Sequence, residues 1–263
     1  MTYTDQMGRQ VTLEQWQPKR IVSLVPSQTE YLAALGLDEA VVGITKFCVH
    51  PAKWFQEKQR VGGTKTLDCQ KIEALRPDLI IGNKEENQQE QIEWLAQRYP
   101  VWMSDINHLE DALEMMRQVG RLVDRPVQSQ KMVSEIAQKF DQIELLAQHR
   151  IRAAYLIWRK PYMVAASHTF IDDMLRRAGF ENVFSTESRY PEITAQQLSD
   201  VRPQVILLSS EPYPFSEKHL VEIREICPSA SVELVDGEMF SWYGSRLMAA
   251  PAYFKAIRER LRG

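Results

Sequence analysis

The chain has 263 residues, 44% of them apolar and 25% charged, and carries a formal net charge of -3. Those proportions exclude intrinsic disorder, collagen-like repeats and disulfide-rich miniproteins. Near-neutrality with no basic block argues against a nucleic-acid partner, and no stretch approaches the roughly 18–20 apolar residues that span a bilayer.

The first residues, Met1 to Arg9, are polar, and no apolar run follows them. A secretory signal needs a basic start and about 7–15 apolar residues, so the expectation is either a cytoplasmic protein or a trimmed N-terminus. Cys48, Cys69 and Cys227 are scattered and form no CxxC pair. Buried free thiols are expected rather than a disulfide framework or zinc ribbon.

In chain order, Lys19–Val25 reads as a short buried strand stopped by Pro26. Ser27 or Thr29 is placed to cap a helix over Glu30–Leu35 that ends at Gly36. A strand follows over Glu39–Ile44. Residues 45–66 read as a long loop with a short helix, punctuated by Pro51 and Gly62-Gly63. A helix over Gln70–Leu75, Arg76-Pro77 and a strand to Ile81 come next, then a helix over Glu85–Gln97 and a strand over Val101–Met103. From Leu109 to His149 apolar residues recur at helical spacing on both sides of Asp124-Arg125-Pro126. This predicts two long stretches of helix without a strand between them, the second of about 20 residues. They form a spine between an N-terminal half, 1–108, and a C-terminal half, 150–263.

The second half repeats the first. Ala153–Trp158 is a strand, and Thr169–Gly179 is a helix ending at glycine, as Thr29–Gly36 does. Thr194–Val201 leads through Arg202-Pro203 into the strand ending at Leu208, as Leu67–Leu75 leads through Arg76-Pro77 to Ile81. The residue before proline avoids the α region, which ends each helix. A helix over Lys218–Ile226, a strand over Ser231–Val235 and a closing helix over Arg246–Leu261 complete the half. Strands alternating with helices imply parallel sheets covered on both faces. The expected fold is therefore α/β, with two Rossmann-like lobes joined by a long helical backbone. A ligand is expected in the cleft between lobes, at the loops after the strands.

Those loops are rich in aromatics. Phe47 and His50 fall in the first half, Trp158 and Tyr162 in the second, with Tyr190 ahead of the repeated Thr194–Val201 helix. Asp236–Arg246 gathers Phe240, Trp242, Tyr243 and Arg246. Aromatics on exposed loops want an apolar partner, and the set suits a flat, greasy ligand with polar edges. His50 and His168, with Cys48, are candidates to hold a metal ion or the metal of a cofactor, and Asp236 with Glu238 is a candidate acid/base pair. No histidine lies at i,i+3 or i,i+4 from another. No nucleophile elbow, phosphate loop, dinucleotide fingerprint or HExxH helix is present. No resident metal or catalytic cofactor is therefore assigned, and binding is favoured over catalysis, with an α/β hydrolase or transferase as the alternative.

Arg20–Glu30 (RIVSLVPSQTE), Leu-Gly-Leu with Val-Val-Gly-Ile, Ile72–Ile81, Gly179–Phe184 and Met239–Arg246 together resemble the class III solute-binding proteins of ABC importers, the cobalamin binders most of all. The likeness spans about residues 19 to 261. It implies two lobes tied by a stiff helix and a bulky metal chelate as ligand: cobalamin or another corrinoid, an iron-siderophore or haem. It implies ligand contacts at His50, Trp158, Tyr190 and the Phe240–Tyr243 loop. Thr64 and Asn83 stand where cobalamin binders carry aromatics. An ABC permease is the implied partner, docked through one glutamate per lobe. Gln70 and Gln196 occupy those positions here, which keeps a cytoplasmic corrinoid or metal-chelate binder without a permease as the alternative. The resemblance implies a periplasmic location. A monomer is expected.

Overall fold

The computed structural model describes residues 1–143 and 150–261. The chain divides into two compact units. Unit 1 comprises Met1–Ile106, Glu110–Ser134 and Tyr243–Arg246, and unit 2 comprises Asn107–Leu109, Glu135–Trp242 and Leu247–Gly263. The C-terminal half of the sequence thus returns four residues to the first unit.

Unit 1 begins with a hairpin, β1 (Thr2–Thr4) and β2 (Gln10–Thr12), which the sequence reading missed. Its anchor is Asp5, which accepts from the Arg9 guanidinium at 2.7 Å and from the Met103 backbone N–H at 3.2 Å. The remaining elements are β3 (Ile21–Ser23), α1 (Pro26–Ala34), β4 (Val41–Ile44), α2 (Ala52–Glu57), β5 (Gln59–Arg60), α3 (Cys69–Ala74), β6 (Leu79–Asn83), α4 (Gln89–Ala96) and β7 (Val101–Ser104). The sheet order is β5-β4-β3-β6-β7, all parallel. Every residue of β3, β6 and β7 is buried, because helices cover both faces of such a sheet. Each fully buried aliphatic side chain, such as Leu79, Ile80 or Ile81, contributes about 1.5–3 kcal/mol. α1 starts earlier than expected. Its N-cap is Val25 without a side-chain cap, and Pro26 opens the helix, a position where its missing N–H costs nothing. Thr29 therefore lies inside the helix, its hydroxyl bonded to the Val25 carbonyl at 2.9 Å.

The spine segment folds as α5 (Leu109–Leu122) and α6 (Pro126–Asp141). The second helix has 16 residues rather than about 20, and residues 144–149 of the expected spine lie outside the described residues. The break is at Asp124, whose φ of 55° is left-handed, followed by proline. The two helices touch where Gly120 meets Ser129: a Cβ on Gly120 would lie 2.3 Å from the Ser129 Cβ. The Ser129 hydroxyl donates to the Met116 carbonyl at 2.8 Å.

Unit 2 contains β8 (Ile151–Trp158), β9 (Tyr162–Val164), α7 (Phe170–Arg177), β10 (Phe180–Asn182), β11 (Glu192–Ile193), α8 (Ala195–Asp200), β12 (Val205–Ser209), α9 (Glu217–Ile226), β13 (Ser231–Val235), α10 (Glu238–Ser241) and α11 (Ala250–Arg260). β12 runs parallel between β8 and β13. β8 divides its free edge: its first residues pair in parallel with β10 and its last antiparallel with β9. The β8–β9 hairpin and the antiparallel β9–β11 pair depart, in this sheet, from the expected parallel pattern. The hairpin turns at Lys160, at φ 64°, with Pro161 next. The duplicated motif is otherwise structural. Arg76 and Arg202 both adopt left-handed φ, 44° and 47°, directly before their prolines. Gly36 and Gly179, at φ 75° and 80°, close α1 and α7.

Candidate functional site

In unit 1 the order β5-β4-β3-β6-β7 reverses between β3 and β6, and their carboxyl ends define the crevice where open α/β sheets take ligands. Its floor is a buried polar network. The Ser104 hydroxyl donates to the Gly82 carbonyl at 3.2 Å and accepts from the Gln28 amide at 2.6 Å and the Asn83 amide at 3.0 Å. The Asn83 side-chain oxygen accepts from the Glu85 and Glu86 N–H groups, at 2.8 and 3.1 Å, shaping the loop after β6. The phenol of Tyr243 is buried beside this floor. Burial pushes its pKa well above 10, the charges of Glu86 and Glu85 add to the shift, and the Ser27 and Ser104 side chains oppose it. Cys48 is buried with its sulfur 3.1 Å from the hydroxyls of Thr29 and Thr45, and burial pushes its thiol up.

Above the end of β4 the Thr45–His50 loop leaves Phe47 51% exposed, with the Lys46 ammonium over its ring at 5.1 Å. His50 is half-buried on the same loop. In unit 2 the counterpart is Trp158, the last residue of β8, 39% exposed and edge-on to Tyr213 at 5.6 Å. The Tyr213 hydroxyl in turn meets His219 Nε2 at 3.2 Å. Arg159 donates to Glu222 Oε2 through Nη2 at 2.7 Å and Nε at 2.9 Å, and to Oε1 through Nε at 3.2 Å, and the Tyr162 hydroxyl bonds the same carboxylate. The arginine is the main cause that holds Glu222 below the usual carboxylate range. Glu211 goes the other way. Burial pushes its carboxyl up, and Glu238 and Asp236 reinforce the shift against hydrogen bonds from Ser241 and Trp242.

The expected site residues therefore separate into two groups. Phe47, His50, Trp158, Tyr162 and Tyr190 lie at least partly open at loops, Tyr190 under the Arg189 guanidinium at 5.7 Å. The Asp236–Arg246 loop turns inward. Phe240 is fully buried in the unit 2 core, with Tyr155 at 5.2 Å and Phe254 at 4.7 Å. Trp242 is 6% exposed and its indole N–H donates to Glu211 at 2.8 Å. Arg246 grips Glu30 at 2.6 and 3.2 Å. The aromatic count of this loop thus reports self-packing, which sequence spacing alone does not separate from exposure. Gln70 and Gln196 are exposed in the first turns of α3 and α8, and Gln196 donates to Asp200 at 2.7 Å. The Ser104–Gln28–Asn83 floor escaped the sequence reading, since nothing in three separated polar residues announces that α1, β6 and β7 bring them together. Among the described residues no group of three or more His, Cys, Asp or Glu side chains is placed to hold a metal ion, so Cys48, His50 and His168 form no such cluster. No described helix is long and apolar enough to cross a membrane.

Comparison with known proteins agrees with this architecture. The curated vitamin B12-binding protein of Vibrio parahaemolyticus is 26% identical over 195 residues, covering 73% of this chain and 70% of that one. The one from Pectobacterium carotovorum is 23% identical over 239 residues, covering 89% and 86%. Among solved structures, the periplasmic vitamin B12-binding protein of Vibrio cholerae superposes with a TM-score of 0.80 at 22% identity, over 93% of this chain and 98% of that one. A periplasmic haem-binding protein from a Roseiflexus species does so with 0.81 at 20% identity, over 92% and 99%. These are two-lobed class III binding proteins, and the likeness is one of fold. The profile of the periplasmic binding protein family matches residues 21–225, well over half of the sequence, and the chain belongs to that family.

Proposed function

We propose that the chain is the substrate-binding component of an ABC-type importer and that its cargo is a bulky, flat metal chelate, a corrinoid such as cobalamin in the first place, with haem and iron-siderophores as the related choices. The observation that carries this reading is the pair Phe47 and Trp158: each is an aromatic left substantially exposed at the carboxyl end of a sheet, one per unit. An exposed ring at a strand's carboxyl end is the place and the surface that a flat apolar guest needs. His50, Tyr162 and Tyr190 are the proposed polar contacts beside them. In this reading the protein carries its ligand unaltered, works as a monomer in the periplasm as its family does, and hands the ligand to a permease. The relatives' printed names, vitamin B12-binding and haem-binding, support the ligand class.

A second reading, a soluble binder of the same chelates without a permease, is favoured by Gln70 and Gln196. Both are exposed and uncharged where a pair of docking carboxylates would supply charge-assisted contacts.

The test is a tryptophan-fluorescence titration with cobinamide, cyanocobalamin, haem and a ferric hydroxamate. Trp158→Ala is expected to weaken the bound chelate by about 1–3 kcal/mol, as loss of a stacking anchor does. Unchanged affinity in both Trp158→Ala and Phe47→Ala would remove the support for this site. Cell fractionation separates the two readings: a cytoplasmic protein contradicts the importer.

A further inference from the structure

The crevice of unit 1 is filled by the chain itself. Tyr243–Arg246 comes from the far C-terminal half of the sequence yet packs with unit 1. Its three contacts fall on the residues that follow β3. The Tyr243 ring is buried with its hydroxyl beside Ser27 and Ser104. Gly244 lies so close to α1 that a Cβ would sit 3.0 Å from the Tyr31 Cβ and 3.4 Å from the Ser27 carbonyl, and its φ of 98° admits little but glycine. Arg246 closes the segment with a bidentate pair to Glu30, one turn along α1.

The floor beneath Tyr243 is incompletely bonded. Gln28 is 1% exposed and its side-chain oxygen has no hydrogen-bond partner among the described residues. The amide nitrogen, rather than the oxygen, faces the Gly82 carbonyl and the Ser104 hydroxyl. The Gly82 carbonyl, which only accepts, faces that nitrogen at 3.4 Å, and the Ser104 hydrogen is already committed to the same carbonyl. Burying an acceptor without a partner is unfavourable, so it persists only where something else repays it.

We propose that Tyr243–Arg246 is a displaceable plug in the unit 1 crevice, and that the ligand group which takes its place is uncharged and donates a hydrogen bond to Gln28, as a primary amide or hydroxyl does. This rests on the chelate-binding reading and narrows it. The crevice holds the buried Ser27, Gln28, Asn83 and Ser104 and is flanked by Glu85 and Glu86. Arg246 is paired with Glu30. Such surroundings favour an amide-bearing chelate over one presenting carboxylates. Ligand binding then competes with the plug, and the measured affinity is lowered by the fraction of molecules in which the crevice is filled.

The test uses the full chain. Glu30→Gln cuts the ion pair while keeping Arg246 as a trypsin site. The expected result is faster trypsin cleavage after Arg246 and cobinamide binding tightened three- to tenfold, with a smaller change for haem. Exchanging the pair, Glu30→Arg with Arg246→Glu, restores wild-type affinity. For the unaltered protein, saturating cobinamide is expected to speed hydrogen exchange at the Tyr243–Arg246 amides, which keeps the proposal testable if a variant fails to fold. If Glu30→Gln binds cobinamide no more tightly than wild type, or if those amides become slower on binding, the plug is overturned. If wild type binds no chelate and Glu30→Gln binds one, the plug stands; if neither binds any, both the plug and the chelate-binding reading fall.

Discussion

Glu222 decides what Arg159 can do. The guanidinium follows the exposed Trp158 and would be the natural partner for an anionic ligand, but its Nε–Nη2 edge is spent on one carboxylate. Because the folded state holds Glu222 below the ordinary carboxylate range, this interaction adds stability that is fully present above the unfolded pKa of about 4.3 and is lost as pH falls through the folded value. The expectation is that urea midpoints fall more steeply between pH 6 and pH 3 in the native protein than in Glu222→Gln. Equal pH profiles would show that the pair contributes nothing. Legibility differs residue by residue. Phe47 lies in the loop after β4 and Trp158 ends β8, and both rings are substantially exposed. Trp242 and Phe240, equally aromatic and equally flanked by glycine, proved buried. What separates them is the partner, Glu211 for one and Tyr155 with Phe254 for the other, and tertiary partners leave no local mark in the chain.

At the scale of elements, helix ends carry much of the specificity. Asp173, in α7 and 3% exposed, accepts the Leu109 N–H at 2.8 Å and so caps α5 from another helix, while binding Arg176 and Arg177, each at 2.8 Å. Asp173→Asn leaves two guanidiniums short of a buried charge, and a loss of about 3 kcal/mol is expected in chemical denaturation. A loss below about 1 kcal/mol would contradict this role. α8 has a reciprocal capping box between Thr194 and Gln197, so Thr194→Ala should cost about 1 kcal/mol. α9 uses an unusual partner. His219 Nδ1 accepts the Ser216 N–H at 3.0 Å, which requires the neutral ring, and burial is the main cause that lowers its pKa. That stability is complete above the ordinary histidine value of about 6.5 and declines as pH falls through the folded value. Strand and helix positions were legible because apolar runs and Arg-Pro breaks mark them. The β1–β2 hairpin and β9–β11 were not, since strands of two or three residues carry no periodicity, and their pairing is set by contacts such as Asp5 with Met103.

At the scale of the molecule, duplication is the organising fact. Helix, left-handed arginine, proline and buried strand occur once in each unit, and glycine closes α1 and α7 alike. That repeat was readable because it rests on residues with hard backbone rules. The return of Tyr243–Arg246 to unit 1 was not readable, because it depends on an ion pair 216 residues apart in sequence. In the proposed function this chain binds a bulky metal chelate and releases it unchanged. Equilibrium dialysis against cobinamide, cyanocobalamin, haem and a ferric hydroxamate, with recovery of the bound compound, tests that claim most directly. One equivalent is expected to bind with a Kd below about 1 μM for at least one of them, returned chemically intact. Binding of none, or recovery of an altered compound, would contradict it.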